Sequence, residues 1–353
     1  MSEILSNTIR TIKPPDEEAV ARAQARQDRL TKPRGSLGRL EELSVKVAGI
    51  TGKELPRIER KAIVIIAGDH GVVAEGVSAY PPEVTVQMVH NFLRGSAAIN
   101  VLARHIGARM VVVDMGIAAE LEPHPSLVSR KIAFGTHNMA KGPAMSKEQA
   151  LRAVESGIEV INGEVARGLD IVGVGDMGIG NTTPSSAICA AITGESVGRV
   201  TGKGTGVSDE QLALKVKVIE TALALNRPDP GDAIDVLSKV GGFEIGGIAG
   251  VILGAAARRL PVVIDGFIAG AAALIASELC PRVKDYLIAA HVSAEVGHRA
   301  ILDYLGLRPL LDLGMRLGEG TGAALAISIV EAAVKALAGM TTFADAGVSE
   351  KLN

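Results

Sequence analysis

One acidic residue stands out as a candidate for chemistry, because glycines flank it directly before a long apolar segment. Glu319 lies in Arg-Leu-Gly-Glu-Gly-Thr-Gly at 316–322, and residues 323–337 read as a buried helix. Flanking glycines allow positive φ and let another molecule approach the backbone closely. The segment alone supports two interpretations of Glu319: a catalytic carboxylate, or an acidic residue that complements the dipole of the following helix.

A glycine-rich loop at residues 173–184 is a candidate for phosphate binding. It contains the pattern GxGxxG from Gly173, but the next helix starts only near Pro184 and no second strand ends in an acid about twenty residues later, so the dinucleotide fingerprint is weak. Backbone amides with Asn181 and Thr182 at a helix N-terminus would instead cradle a phosphate. A tight turn without a ligand is the alternative interpretation.

A second glycine-rich loop, at residues 201–206, precedes a predicted helix that carries Lys215 and Lys217. The loop lacks the spacing of a Walker A motif. The two lysines lie about 200° apart around the helix, so at most one of them can point towards the core. A lysine at such a position is more often a solvated surface residue than a phosphate ligand.

Other chemistries find less support in the residue spacing. His70, His291 and His298 show no spacing typical of a metal site, so no metal is predicted, and no GxSxG elbow occurs. The long loop at residues 71–87 holds Tyr80, whose ring could either stack on a planar ligand or pack over the strand ends.

Composition argues against nucleic-acid binding, secretion and a membrane span. The 353 residues include 37 basic and 39 acidic side chains, no Trp, three Tyr and five Phe, which argues against a nucleic-acid partner. Cys189 and Cys280 have no CxxC spacing and are expected to be reduced, and residues 1–18 lack the apolar core of a secretory signal. The apolar region 245–276 is interrupted by charges and Pro261, so no membrane span is expected there. A cytoplasmic protein is predicted.

Short apolar runs alternate with helical patterns along the middle of the chain. Such alternation predicts βαβ units and a mostly parallel sheet, whose ligands bind beyond the carboxyl ends of the strands. The predicted strands are 62–67, 110–113, 169–172, 261–264 and 286–290, and the predicted helices between them include 83–92, 97–106, 147–167, 209–225 and 247–259. We expect an α/β domain over residues 60–310 and a smaller helical domain from residues 1–59 with 311–353.

Several segments together resemble the nicotinate mononucleotide:dimethylbenzimidazole phosphoribosyltransferase family, which makes the lower-ligand nucleotide of cobalamin. The resemblance covers nearly the whole chain in the expected order. It rests on Leu-Thr-Lys-Pro at 30–33, Gly-Ser-Leu-Gly-Arg-Leu at 35–40, Gly-Asp-His-Gly at 68–71, Gly-Asp-Met-Gly-Ile-Gly-Asn-Thr-Thr at 175–183, Gly-Thr-Gly at 204–206, Ile-Asp-Gly at 264–266 and the 316–322 segment. The resemblance implies a doubly wound α/β fold, a homodimer, the substrates nicotinate mononucleotide and a benzimidazole base, and no cofactor.

The resemblance also implies roles for individual residues. Glu319 would be the general base that takes the benzimidazole proton. The base pocket would comprise Ser78, Tyr80, Pro81, Gln87 and Leu317. The phosphate and ribose would be bound by Asp176, Gly178, Gly180, Asn181, Thr182, Lys215 and Asp265. In many members of the family a glutamate is expected at the position of Asp176, so the role of this shorter side chain stays open, and a bridging water could make up its reach.

Two other functions are compatible with parts of the sequence. The GxGxxG pattern from Gly173 could belong to an oxidoreductase that uses a nicotinamide dinucleotide. Alternatively, the chain could be a non-enzymatic nucleotide sensor in which Glu319 only caps a helix.

Overall fold

The computed structural model describes residues 2–204 and 206–349, and its centre is a parallel β-sheet. The sheet order is β3-β2-β1-β4-β5-β6, and every neighbouring pair is parallel. Its strands are β1 (Lys61–Gly68), β2 (Ala108–Gly116), β3 (Leu127–Ser129), β4 (Ile171–Met177), β5 (Val262–Ile264) and β6 (Leu287–Ala289). The strand order reverses between β1 and β4, which is where open α/β sheets bind their ligands.

Strand β1 shows why the strands read as continuous apolar runs. Val64 and Ile66 pack into the core on one face of the sheet, whereas Ile63 and Ile65 pack into the core on the other face. All eight residues of the strand are buried. A parallel strand that is covered on both faces has no side chain in water, so polar residues do not alternate with apolar ones.

Helices cover both faces of the sheet, as expected for a doubly wound fold. One face carries α1, α6, α7 and α10–α12, and the other carries α3–α5 and α14. The α-helices are α1 (Glu3–Thr11), α2 (Glu17–Gln27), α3 (Arg39–Thr51), α4 (Glu83–Arg94), α5 (Ala98–His105), α6 (Lys147–Ala166), α7 (Thr182–Thr193), α8 (Val197–Val200), α9 (Asp209–Asn226), α10 (Ala233–Val240), α11 (Phe243–Ala257), α12 (Phe267–Leu279), α13 (Gly297–Leu305), α14 (Thr321–Gly339) and α15 (Phe343–Ala346); Gly71–Glu75 and Pro281–Tyr286 form 3₁₀ turns.

Helix α11 carries the glycine pair at 246 and 250 whose spacing would favour helix pairing in a membrane. In the structure, glycines of α11 and α6 let these two helices pack closely inside the protein. A Cβ atom on Gly250 would lie 1.9 Å from the carbonyl oxygen of Val154, and one on Gly157 would lie 2.0 Å from that of Gly247. The two backbones are in contact, so neither Gly250 nor Gly157 tolerates a side chain.

Among the described residues, one helix is long and apolar enough to cross a membrane, and this is α14. Half of its residues are buried inside the protein, against α3, α5 and the face of β4. Its polar residue Glu331 pairs with Lys61 at the start of β1 and with Lys335, at 2.6 Å in both cases. These contacts are typical of a core helix.

The terminal helices α3 and α14 share one hydrophobic core with the sheet. Their assignment to a separate smaller domain, residues 1–59 with 311–353, stays a prediction. The sequence patterns did not predict edge strand β3 or the helices α1, α8, α10, α13 and α15. Strand β3 has only three residues and is partly exposed, so its apolar run is too short to be distinctive.

Candidate active site

A cavity of about 460 Å³ opens at the carboxyl ends of the central strands, beside the point where the strand order reverses. This volume suits a ligand of nucleotide or drug size. The structure brings seven of the predicted site residues to its wall: Tyr80, Asp176, Gly178, Asn181, Thr182, Leu317 and Glu319. Residues that are distant in sequence, at 80, 176 and 319, therefore meet at one site.

Three residues predicted for the base pocket do not line this cavity. The hydroxyl of Ser78 is bonded within its own loop, where it donates to the carbonyl of Tyr80 at 3.0 Å. Pro81 and Gln87 are exposed. Helix α4 turns Val84 and Met88 towards the cavity instead, because these two residues lie one turn apart. Roles for Ser78, Pro81 and Gln87 in base binding stay predictions.

The loop that carries Glu319 has an unusual backbone. Gly318, Glu319 and Gly320 all have positive φ, at 81°, 62° and 84°. Glycines adopt this conformation readily, whereas at Glu319 it carries a steric cost that the surrounding packing must offset. Glu319 is only 5% exposed, and within the described part of the chain its buried Oε2 has no hydrogen-bond partner. The carboxylate is thus held at the cavity wall with a free acceptor.

Two glycines of strand β4, Gly173 and Gly175, leave room for this loop and for the start of α14. A Cβ atom on Gly175 would lie 2.3 Å from the Gly320 nitrogen, and one on Gly173 would lie 3.1 Å from the Cβ of Ala323. A Cβ on Gly178 would lie 2.2 Å from the carbonyl oxygen of Gly68. The glycines that match the dinucleotide pattern therefore allow chain segments to pack closely. The backbone of the Glu319 loop covers the central glycine, which a dinucleotide would have to approach.

Asp265, not Glu319, caps helix α14. Its Oδ2 accepts from the amide of Gly320 at 3.1 Å and its Oδ1 accepts from that of Ala323 at 2.9 Å. Among the described residues Glu319 makes no capping hydrogen bond to α14, so the interpretation that it only caps this helix is wrong, whereas its effect on the helix dipole is untested. Asp265 is 1% exposed and does not line the cavity, so it positions the loop that holds Glu319. Its predicted contact with the ribose stays a prediction.

Burial of several carboxylates in one place raises their pKa values. Burial and the charge of Asp265 raise the pKa of Glu319 to about 7, although a backbone hydrogen bond from Ile99 opposes the shift. Burial, chiefly, and the charge of Asp265 raise the pKa of Asp176 to about 8. Burial also raises the pKa of Asp265 to about 6, against the opposing effect of His291. Near neutral pH, Glu319 can accept a proton and Asp176 retains one.

Asp176 lies between the Glu319 loop and the N-terminus of α7. Its Oδ2 accepts from Nδ2 of Asn181 at 2.8 Å, and a Cβ on Gly318 would lie 3.2 Å from the same oxygen. Asn181 is the N-cap residue of α7, but its side chain makes no capping bond to that helix. Its amide instead orients Asp176. Gly180, with φ of 87°, turns the chain into the helix without lining the cavity.

The other end of the cavity is lined by Thr182 and Gly204, and Lys215 of helix α9 lies behind them without lining the cavity itself. Lys215 is fully buried, and its Nζ donates to Oγ1 of Thr182 at 2.7 Å and to the carbonyl of Gly202 at 3.2 Å. Lys217 is exposed, so Lys215 is the inward lysine, as predicted with the help of the resemblance. Burial lowers the pKa of Lys215 to about 8, against the opposing charge of Glu295. Thr205, within the second glycine-rich motif, lies outside the described residues.

Comparison with known proteins gives a consistent result. The family model described as a phosphoribosyltransferase matches residues 12–348. The nicotinate-nucleotide–dimethylbenzimidazole phosphoribosyltransferase of Roseiflexus sp. (strain RS-1) is 63% identical over 349 residues, with 99% of each chain covered. A protein of the same name from Desulforudis audaxviator is 60% identical over 351 residues, with 99% of each chain covered. The crystal structure of CobT from Thermus thermophilus superposes with a TM-score of 0.92 at 48% identity, over 95% of this chain and 100% of that one.

The chain belongs to the nicotinate-nucleotide–dimethylbenzimidazole phosphoribosyltransferase family. It is a phosphoribosyltransferase, an enzyme of the pentosyltransferase class. The resemblance found in the sequence is confirmed, and the oxidoreductase and the non-enzymatic sensor are set aside. The fold expected from the resemblance, α/β with a parallel sheet flanked by helices, is also confirmed.

The three histidines considered for a metal site, His70, His291 and His298, each lie against another polar group of the protein. Nε2 of His70 lies 2.9 Å from Oε1 of Glu244, and both side chains are almost wholly buried. His291 reaches the cavity wall, where its Nε2 lies 3.8 Å from Oδ1 of Asp265. Nδ1 of His298 accepts from the amide of Ser293 at 2.9 Å. Among the residues that the structure describes, no group of three or more His, Cys, Asp or Glu could hold a metal ion.

The phosphoribosyltransferase also has cavity residues that the sequence analysis missed. The main ones are Val84 and Met88 from α4, Phe267 from α12, and Ser293 and Glu295 after β6. Ser293 and Glu295 follow the predicted strand 286–290 by a few residues. Because ligands of parallel sheets bind beyond the carboxyl ends of the strands, this position is the sequence signal that points to them.

Proposed function

We propose that this enzyme transfers the phosphoribosyl group of nicotinate mononucleotide to 5,6-dimethylbenzimidazole, giving α-ribazole 5′-phosphate and nicotinate. The names of relatives with 60–63% identity over the whole chain support these substrates. The structural observation that carries the mechanism is Glu319: a buried carboxylate at the cavity wall, with an unpartnered Oε2 and a pKa raised to about 7.

We propose that Glu319 acts as the general base. Benzimidazole has one N–H, and the loss of this proton makes the other ring nitrogen a better nucleophile. A base with a pKa near the working pH combines a large ionised fraction with useful basicity. Burial provides this match at Glu319, because a solvated glutamate would be a much weaker base.

The bond changes balance without an acid catalyst. The free ring nitrogen forms a bond to C1′ of the ribose while the bond from C1′ to the pyridinium nitrogen breaks. The electron pair of the broken bond neutralises the pyridinium, and Glu319 takes the benzimidazole proton. Attack from the face opposite the leaving group inverts the anomeric carbon from β to α.

The cavity supports a consistent placement of the substrates. Tyr80, Met88 and Leu317 provide apolar surface for a planar base beside Glu319. Thr182, at the N-terminus of α7, and the amine of Lys215 behind it would bind the 5′-phosphate. The ribose would lie between these two ends, which places C1′ towards Glu319.

The direct test is to mix the purified protein with nicotinate mononucleotide and dimethylbenzimidazole and to analyse the products by chromatography and mass spectrometry. We expect release of nicotinate and formation of α-ribazole phosphate, with the α configuration established by NMR. Absence of that product with dimethylbenzimidazole and with related bases would overturn the proposal, and a β-linked product would overturn the inverting mechanism.

We also propose that the enzyme is a cytoplasmic homodimer that requires no metal or other cofactor and acts without nucleic-acid or membrane partners. Light scattering of the purified protein would test the dimer. Activity after treatment with a chelator would test the independence from metals.

A further inference from the structure

One carboxylate on the cavity wall has no part in the reaction described above. Glu295 lies in the loop between β6 and α13, lines the cavity and is 6% exposed. Its Oε2 is buried and has no hydrogen-bond partner among the residues that the structure describes. A buried carboxylate oxygen without a donor is costly, and such groups usually have a partner. A ligand in the cavity is an obvious source of the missing donor.

The position of Glu295 is fixed against the loop at the phosphate end. A Cβ atom on Gly202 would lie 2.2 Å from Oε2 of Glu295, so the lack of a side chain at residue 202 makes room for the carboxylate. Lys215 donates to the carbonyl of the same Gly202 and to Thr182, not to Glu295. The Glu295 carboxylate and the Lys215 amine thus both lie against Gly202, but no hydrogen bond joins them among the described residues, and Oε2 of Glu295 remains available as an acceptor.

The other acidic groups around the cavity are already engaged. Both oxygens of Asp265 accept backbone hydrogen bonds from the start of α14. Oδ2 of Asp176 accepts from Asn181, and a pKa raised to about 8 keeps this group protonated near neutral pH. Glu319 is the proposed base. Among the described residues of the cavity, Glu295 is therefore the remaining carboxylate whose acceptor oxygen is uncommitted.

The substrate offers suitable donors near this position. A nucleoside monophosphate carries two ribose hydroxyls between its phosphate and C1′, and Glu295 lies beside the proposed phosphate site. Repulsion disfavours a direct contact between the carboxylate and the phosphate. A hydroxyl donor avoids that repulsion and satisfies the free oxygen.

We propose that Glu295 accepts a hydrogen bond from a ribose hydroxyl of the nucleotide, and that it thereby selects ribonucleotides over deoxyribonucleotides. The inference rests on the proposed function, since it takes nicotinate mononucleotide as the substrate. Glu295 is then a specificity-determining residue: sites built to bind a substrate hydroxyl discriminate against analogues that lack it, because their buried polar group is left unpaired.

The test compares nicotinate mononucleotide with its 2′-deoxy and 3′-deoxy analogues, with nicotinate release measured at saturating dimethylbenzimidazole. The wild-type enzyme should prefer the ribonucleotide over at least one analogue by roughly 10- to 100-fold in kcat/KM, the scale of a hydrogen bond to a charged group. Glu295→Ala should lose about that factor on the ribonucleotide and change within about threefold on that analogue. Glu295→Gln retains one acceptor oxygen and should keep part of the preference.

Two further variants distinguish a direct contact between Glu295 and the ribose from a purely structural role of Glu295. In Gly202→Ala the added methyl should displace the carboxylate of Glu295, which is the end of a flexible side chain, while the carbonyl of residue 202 still receives Lys215. Part of the ribose preference should therefore be lost. Glu220→Ala removes an exposed carboxylate from α9, the helix that carries Lys215, and should leave the preference unchanged.

An equal loss on all three nucleotides in Glu295→Ala would mean that Glu295 only supports the loop or the charge of Lys215, and the proposal would fail. It would also fail if the wild-type enzyme used both deoxy analogues as well as the ribonucleotide, although the transfer reaction itself would stand. If no transfer occurred at all, calorimetric binding of the three nucleotides to wild type and to Glu295→Ala would decide the matter. A ribose preference present in the wild type and lost in the variant would support the role of Glu295, and an unchanged preference would refute it.

Discussion

The two ends of the cavity bury charge of opposite sign, and the same physical cause shifts their pKa values in opposite directions. At the base end, which holds Glu319 and Asp176 and would bind the benzimidazole, burial raises the pKa of Glu319 to about 7 and that of Asp176 to about 8. At the phosphate end, where Thr182 and Lys215 would bind the phosphate, burial lowers the pKa of Lys215 to about 8. Desolvation disfavours the charged form at both ends. Near pH 7 the carboxylate of Glu319 can therefore accept a proton, while the amine of Lys215 still keeps its proton and can attract an anion.

The two ends of the cavity also differ in how the protein holds their charged side chains. Glu319 lies on a loop whose backbone is held by the packing of α14 against strand β4 and by Asp265. Lys215 projects from the middle of a regular helix and reaches the cavity only through Thr182. Proton transfer at the Glu319 end would therefore depend on backbone geometry, whereas phosphate binding would depend on Thr182 at the start of α7 and on the long side chain of Lys215 behind it.

The largest expected effect is at the base end. Glu319→Gln keeps the size of the side chain but removes the base, so kcat should fall by about 10²-fold or more. The KM for nicotinate mononucleotide should change little, because the phosphate site is intact. Steady-state nicotinate release measures both quantities, and a fall of less than threefold in kcat would contradict the assignment.

At the phosphate end, Lys215→Met should act mainly on binding. It replaces the amine with an apolar side chain of similar length and should lower kcat/KM for nicotinate mononucleotide by roughly 10- to 100-fold, chiefly through KM. Lys217→Met, two residues away on the exposed face of α9, is the matched control and should behave as wild type. If the two variants behaved alike, Lys215 would not bind the phosphate.

The raised pKa of Glu319 and the lowered pKa of Lys215 predict a bell-shaped pH profile of kcat/KM. Activity should rise with pH through about 7, as Glu319 ionises, and should fall above about 8, as Lys215 loses its proton. Glu319→Gln should lack the rising limb and Lys215→Met the falling one. A profile of the wild-type enzyme that is flat from pH 6 to pH 9 would be inconsistent with both assignments.

The smallest expected effect concerns stability. The folded-state pKa of Asp176, about 8, exceeds its ordinary value of 3.8, so folding favours its protonated form: the contribution to stability is fully present below pH 3.8 and is lost as pH rises from there through about 8. Asp176→Asn cannot ionise and should exceed the wild-type Tm by about 2 to 4 °C at pH 9, with a smaller difference at pH 5.

Calorimetry at the two pH values measures this difference. The exposed Asp303→Asn should show no comparable dependence on pH. A Tm difference for Asp176→Asn that does not grow with pH would mean that Asp176 is not protonated in the folded protein at neutral pH.

Much of this organisation could be predicted from the chain itself. Continuous apolar runs such as residues 62–67 identify strands that are buried on both faces, because no side chain there needs water. The order of the motifs identified the family, and the glycines around Glu319 marked the loop that has positive φ. The type and approximate place of each major element follow from local sequence patterns.

The tertiary structure decided which of several plausible roles each residue takes. Gly173 and Gly175 match a cofactor pattern, but their function is to admit the Glu319 loop and α14. Glu319 had the right position in sequence to cap a helix, yet Asp265, more than fifty residues earlier, makes that cap. Glu295 had no distinctive pattern at all. Burial, pKa and hydrogen-bond partners depend on distances between segments far apart in the chain, and local patterns do not encode these distances.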